Sequence, residues 1–237
     1  MAPRRTLFLP QQTNPNLIAE HALHRSLQHA GISMDGVMPL LLAWELNGSE
    51  MAKFTQDEWT KGMDKLQISS LSALSTAMQE LNDLVVLGKP ARARTEATQK
   101  KPAENAIPAY NRSHYYQCAQ DAKKALTSFH TFCFQLVKPE SSRNIEIDTA
   151  TAIWSVVLLP RYPIVTEITA FITDSGRYKA ANKDLWSMVL EFCESVHPDL
   201  SNYEADGAWP SMLDDFVAWK KAKECSQDEQ AVDVDVE

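Results

Sequence analysis

Apolar residues along the chain recur at steps of three and four rather than alternating, and the residues around them mark helix ends. Thr55-Gln56-Asp57-Glu58 is a capping box, in which a threonine oxygen and a glutamate carboxylate satisfy reciprocal orphan amides. Phe54 and Trp59 take the flanking positions of a hydrophobic staple, so the pattern predicts a helix starting there. Ser69-Ser70 precede Leu71, Leu74, Met78 and Leu81, whose spacing keeps one apolar stripe. Upstream, Pro39-Leu40-Leu41-Leu42-Ala43-Trp44 is apolar nearly all round and predicts a buried helix. Further along, Ala150, Ile153, Trp154, Val157 and Leu158 follow Asp148; Val165, Ile168 and Ile172 follow Pro163; and Leu185, Val189, Phe192 and Val196 follow Asn182. Pro210 suits the first turn of a last helix carrying Leu213, Phe216, Val217 and Lys220. Strand signals are few, and the expected class is all-α.

Between these stripes the pattern lapses. The stretch Gly88 to Ala109 holds three prolines and five basic residues, with almost no aliphatic side chain larger than alanine, and reads as a linker or long loop. It divides the chain into an expected N-terminal helical lobe at 16–87, a basic insert at 88–113 and a C-terminal helical lobe at 114–222. Residues 1–15 carry Pro3, Pro10 and Pro15, and residues 224–237 carry six acids and no base. Both read as solvated tails (1–15 and 223–237).

Composition narrows the partners. With 23 Lys plus Arg against 31 Asp plus Glu, the net charge of -8 argues against tracking nucleic-acid phosphates and favours a basic protein surface. Leu7-Phe8-Leu9 before Pro10 is far short of a secretory core, and no apolar run approaches the roughly 18 residues of a membrane span. The expectation is a soluble protein of the cytoplasm and nucleus. Cys118, Cys133, Cys193 and Cys225 form no C-x-x-C pair, which suits reduced thiols, and the sequons at Asn47 and Asn111 then carry no sugar.

Candidate chemistry thins out under the same reading. No P-loop, G-x-S-x-G, H-E-x-x-H or G-x-G-x-x-G is present. His21, His24 and His29 read as polar positions of an ordinary helix rather than as metal ligands. Cys118, Cys133 and Cys193 could each serve as a nucleophile only beside an activating base; the apolar neighbours of Cys133 and Cys193 favour buried structural thiols. Asn202-Tyr-Glu204-Ala-Asp206-Gly207 matches half of a calcium loop, but position twelve is Leu213 where a bidentate acid is required. Asp214 and Asp215, adjacent on a helix, point about 100° apart, so a binding role for one acid is favoured over acid/base catalysis.

The string from Ser201 to Trp219, Ser-Asn-Tyr-Glu-Ala-Asp-Gly-Ala-Trp-Pro-Ser-Met-Leu-Asp-Asp-Phe-Val-Ala-Trp, closely resembles the signature of the defective-in-cullin-neddylation family and its potentiating neddylation domain. Leu41-Leu42-Ala43-Trp44 with Phe54 and Glu58, Ser128 to Phe134, and Ile147 to Leu158 extend the likeness to about residues 37–83 and 126–220. The resemblance implies a two-lobed helical scaffold with EF-hand-like elements that lack calcium ligands. Such proteins assist transfer of a ubiquitin-like modifier from its conjugating enzyme to a cullin lysine, without a catalytic residue or cofactor of their own. The implied cullin-facing patch is Asp184, Ala208 and Asp214, two carboxylates around a small residue that lets a basic surface approach.

A second implied site is an apolar pocket for the acetylated N-terminal methionine of the conjugating enzyme, lined by Pro39, Leu42, Met51, Phe54, Leu136, Ile153 and Val156. Acetylation removes the terminal charge, so that end can be buried without an ion's desolvation cost. Family members often carry an aromatic residue where Leu136 and Ile153 stand, and the helices preceding residue 16 that complete the first lobe elsewhere are expected to be truncated here. Two readings follow: a monomeric co-ligase that binds cullin and conjugating enzyme together, or a cullin-binding adaptor whose tail pocket has lost its function. Neither involves nucleic acid or membrane.

Overall fold

The computed structural model describes Ile18, residues 20–93 and residues 110–232, with the side chains of 20–22 and 226–232 outside that description. The N-terminal tail, the His21 side chain, most of the basic insert and the end of the acidic tail therefore lie outside that description. What is described is helical: α1 (Glu20–His29), α2 (Met38–Leu46), α3 (Gln56–Leu66), α4 (Leu71–Leu81) running into a π-turn (Asn82–Val86), α5 (Ser113–Gln120), α6 (Ala122–Val137), α7 (Ile147–Val157), α8 (Ile164–Ser175), α9 (Lys183–Ser195) and α10 (Ser211–Val232). Two-residue strands β1 (Ile145–Glu146) and β2 (Ala180–Ala181) pair antiparallel, Ile145 with Ala181 and Glu146 with Ala180. The protein is all-α, as the periodicity predicts. None of the described helices is long and apolar enough to cross a membrane.

The chain forms two compact units, Met1–Val137 and Lys138–Glu237. The helices α5 and α6, which follow the basic insert, group with the first unit, so the insert interrupts that unit and the boundary falls after α6.

In the first unit the capping box closes as the sequence predicts. Thr55 Oγ1 accepts from the Glu58 amide at 3.2 Å, and the Thr55 amide donates to Glu58 Oε2 at 2.7 Å. The staple rings of Phe54 and Trp59 meet edge-on at 6.2 Å. Ser70 caps α4 by accepting from the Ala73 amide at 3.2 Å. Leu40, Leu41, Leu42 and Ala43 of α2 are all buried, which is why that helix shows no polar face. Mid-helix Gly62 costs α3 about 1 kcal/mol of propensity, but a Cβ there would stand 2.3 Å from Leu46 Cδ2. The missing side chain is what lets α2 and α3 close.

The insert's described flanks converge on one carboxylate. Glu80 of α4 accepts from Arg92 Nη1 at 2.6 Å, from the Tyr110 hydroxyl at 2.6 Å, and from Arg112 Nε at 2.7 Å and Nη2 at 3.0 Å. The Arg92 amide donates to the Tyr115 hydroxyl at 2.8 Å. Both ends of the loop are thus held close together whatever its length, and loop-closure entropy grows only slowly with added residues.

The second unit is built on large aromatic side chains. Trp154 and Trp186 stack at 5.5 Å and are buried with Val157, Leu158, Val165, Ile168, Val189 and Phe192. The β1–β2 ladder, extended by the Ile147 amide donating to the Lys179 carbonyl at 3.0 Å, ties the start of α7 to the start of α9. Lys220 is buried and donates to Glu167 Oε2 at 2.5 Å, joining α10 to α8.

Burial pushes the Glu80 carboxyl upward, but the hydrogen bonds from Arg112, Tyr110 and Arg92 outweigh it and hold the group below its ordinary value. A depressed carboxyl stabilises the fold above its ordinary value of 4.5, and that contribution is lost as pH falls through the folded value. Glu80→Ala strands Arg112 and Tyr110 and is expected to cost about 3 kcal/mol in urea unfolding. The wild type, but not the variant, should show this group's loss of stability on acidification below 4.5.

Candidate functional site

Asp184 sits where two local devices meet. Ala181, fully buried, closes the β ladder, and Asn182 then caps α9 by accepting from the Leu185 amide at 2.7 Å. Asp184 therefore stands exposed in the first turn, at the positive end of the helix dipole. Met188, Glu191 and Ser195 follow it at steps of four, three and four, which keeps all of them on one helical face. The last three line an open concavity of about 300 Å³ together with Ala208 and Trp209. Asp184 lies one turn, about 6 Å along the axis, from its near edge.

The segment after α9 carries the other wall. The His197 amide donates to Asn202 Oδ1 at 2.7 Å, and Asn202 Nδ2 donates to the Ser195 carbonyl at 2.7 Å, which folds the chain back on the helix end. Leu200 adopts the left-handed region at φ 57° with its side chain buried, a strain of roughly 1–2 kcal/mol offset by that burial. The Gly207 amide donates to the Glu204 carbonyl at 3.1 Å. A Cβ on Gly207 would stand 2.9 Å from Trp209 Nε1 and 3.0 Å from the Glu204 carbonyl oxygen, so only glycine fits. Trp209 meets Phe192 edge-on at 5.3 Å, and this contact leaves the intervening Ala208 exposed.

Asp214 and Asp215 diverge as their helical spacing requires. The Tyr203 hydroxyl donates to Asp214 Oδ1, while Asp215 accepts from the Tyr178 hydroxyl at 2.6 Å and from Arg177 Nη2 at 3.1 Å. Burial, followed by the Asp214 hydrogen bond, pushes the Tyr203 hydroxyl up to about 12, so it stays a proton donor at neutral pH. The Tyr203 ring lies 6.3 Å from Phe192. Asp215 is thus paired with Arg177, whereas Asp214 is oriented by a neutral donor. Exposed Glu191, Glu204 and Asp206 add to the negative surface around Ala208. The last helix starts one residue later than Pro210 suggests; the Pro210 carbonyl accepts from the Leu213 amide at 2.8 Å.

Other candidates have other roles. Leu213, the twelfth position of the half-matched calcium loop, is fully buried, and the Asn202 amide is spent on backbone groups. Among the described residues no group of three His, Cys, Asp or Glu suits a metal ion; His24 and His29 are exposed on α1. Cys133 and Cys193 are buried, and burial raises both thiols, that of Cys193 to about 12. In the first unit, Pro39 is buried in α2, Leu42 and Phe54 have at most 1% of their surface exposed, Leu136 is half-buried near the end of α6 and Met51 is 49% exposed. In the second unit, Ile153 is buried and Val156 half-buried on α7.

Sequence reasoning did not single out Met188, Glu191, Tyr203, Gly207 or Trp209 as site residues. The face shared with Asp184 was available as a spacing signal for Met188 and Glu191; the Tyr203 and Trp209 contacts need the folded loop.

A family profile described as cullin binding matches residues 109–219. DCN1-like protein 5 of Homo sapiens is 27% identical over 214 residues, covering 89% of this chain and 73% of its own. DCN1-like protein 4 of Danio rerio is 28% identical over 211 residues, covering 89% and 62%, and that of Drosophila melanogaster is 26% identical over 205 residues, covering 86% and 68%. The matched profile includes Asp184, Ala208 and Asp214, and the signature string between Ser201 and Trp219 lies wholly within it; over most of its length the chain is similar to the DCN1-like proteins.

Proposed function

We propose that this protein is a co-ligase for cullin neddylation that works by positioning: it holds a cullin and the charged conjugating enzyme together so that the cullin lysine meets the thioester in a near-attack geometry. The observation that carries the reading is the acidic surface around Ala208. It offers a carboxylate on α9 and another on α10, a small residue between the supporting turns, and a neighbouring acid paired with Arg177. Such a surface suits a basic protein face, where complementary charge sets encounter rate and register. Tethering both reactants replaces a bimolecular collision with an effectively intramolecular one, and no residue of this chain touches the reacting carbonyl. The acetylated methionine of the conjugating enzyme is taken by apolar positions of the first unit, Pro39, Leu42, Met51, Phe54 and Leu136.

One observation favours the adaptor reading instead. Leu42 and Phe54 have almost no free surface, so a pocket using them must open to admit a tail. A fluorescent acetylated peptide from the conjugating enzyme separates the two: saturable binding that the non-acetylated peptide lacks supports the co-ligase, and no binding supports the adaptor.

Asp214→Ala should weaken cullin binding by about 2 kcal/mol, roughly 30-fold, and Asp184→Lys should weaken it further, measured by titration calorimetry with the cullin C-terminal region. Wild-type affinity in both variants would remove the assignment. Gly207→Ala should displace Trp209 and weaken cullin binding although no charge changes, with an accompanying change in tryptophan fluorescence.

A further inference from the structure

The first unit contains a polar cluster that the neddylation reading does not use. Glu45, on the otherwise apolar α2, is 3% exposed. One of its oxygens, Oε2, is hydrogen-bonded to His114 Nδ1 of α5. The other, Oε1, stands 3.3 Å from Lys65 Nζ of α3, which also donates to the Glu45 carbonyl at 3.3 Å. On the far side of the imidazole, His114 Nε2 lies 3.6 Å from Cys118 Sγ, one turn along α5. The edge of Trp44 meets the His114 ring at 5.0 Å and fixes its plane.

Carboxylate, imidazole and thiol are thus in line, with the carboxylate on one ring nitrogen and the sulfur on the other. A buried carboxylate on Nδ1 makes Nε2 the nitrogen that exchanges a proton with sulfur, the arrangement that activates a nucleophile. We propose that Cys118 is a reactive thiol, a modification site for small soft electrophiles, whose proton is taken by His114 under the orientation of Glu45.

The chemistry balances with a hydroperoxide as the co-reactant. The Cys118 thiolate attacks the terminal oxygen, the O–O bond breaks, the alkoxide or hydroxide leaves with the electron pair and takes the proton from His114 Nε2, and the sulfur is oxidised to a sulfenic acid. An alkylating agent forms a thioether by the same attack and releases halide. Hydrogen bonding to Cys118 and then to Glu45 raises the His114 imidazole to about 9 against the opposing effect of burial, which suits a stored proton at neutral pH. Glu45 from α2, Lys65 from α3 and Cys118 from α5 are the charged or titratable groups facing the imidazole, and Tyr110 and Tyr115 border the small cleft beside it. Cys118 itself is only 5% exposed, so the site admits small reagents alone. The other thiols lack this setting: Cys133 and Cys193 are buried with raised values, and Cys225 is exposed near the chain's end.

The test is the rate of iodoacetamide labelling of each cysteine in the intact native protein, followed by peptide mass spectrometry between pH 5.5 and 9. An ordinary thiol with a value of about 8.5 is less than ~1% thiolate at pH 6. Cys118 should therefore react at least about tenfold faster than Cys225 at that pH, and His114→Gln should remove the advantage and return a rate that climbs with pH. Hydrogen peroxide followed by a sulfenic-acid trap should mark Cys118 first. Labelling of native Cys118 as slow as that of Cys133 and Cys193, a pH profile matching Cys225, or a fast rate surviving in His114→Gln would each overturn the proposal. If His114→Gln does not fold, the wild-type comparison of the four thiols still decides.

Discussion

The candidate cullin surface depends on one fully buried side chain. Phe192 is fully buried on α9 and meets Trp209 at 5.3 Å, Phe216 at 6.0 Å and Tyr203 at 6.3 Å. It therefore joins the helix that carries Asp184, the loop that carries Ala208 and the helix that carries Asp214. Burying a phenylalanine contributes about 2–3 kcal/mol, and edge-to-face aromatic pairs add about 0.5–1.5 kcal/mol each. That is enough to hold an irregular segment, with its left-handed Leu200 and its obligatory Gly207, in one conformation. The acids confer the charge; the phenylalanine confers their arrangement.

Buried charge is the second organising constraint. A carboxylate taken out of water must be matched by donors or it destabilises the fold. Glu80 is matched by two arginines and a tyrosine, Glu45 by a histidine and a lysine, and Lys220 by Glu167. Each match joins elements distant in sequence, so these pairs select which helices are neighbours rather than adding greatly to stability. The Glu80 pair also reconciles the basic insert with a compact unit, because its two flanks share one anchor.

Helix starts were readable because their causes are local. Thr55, Ser70 and Asn182 each satisfy an amide three residues ahead, and nothing beyond the next turn is needed to recognise that. The π-turn at Asn82–Val86 and the two-residue strands were not readable: their residues carry ordinary helical or neutral patterns, and their geometry comes from packing. The order of helices around the insert was likewise hidden, since apolar stripes state that a face is buried but not against what. At the candidate site, the acids were visible as residue types, whereas the distinction between Asp214 and Asp215 rests on Tyr203, Tyr178 and Arg177 reaching them.

By itself, the order of residues determined the all-α class, the capped helix starts and the family likeness carried by the string from Ser201 to Trp219, because each depends on neighbours within a few positions. Only the tertiary structure decided that Asp184 shares a face with the concavity beside Ala208, that Asp215 is paired with Arg177 while Asp214 meets a neutral donor, and that Glu45, His114 and Cys118 form a line. Those relations join residues from 4 to 69 positions apart, and side-chain chemistry acquires its environment only when such distances close.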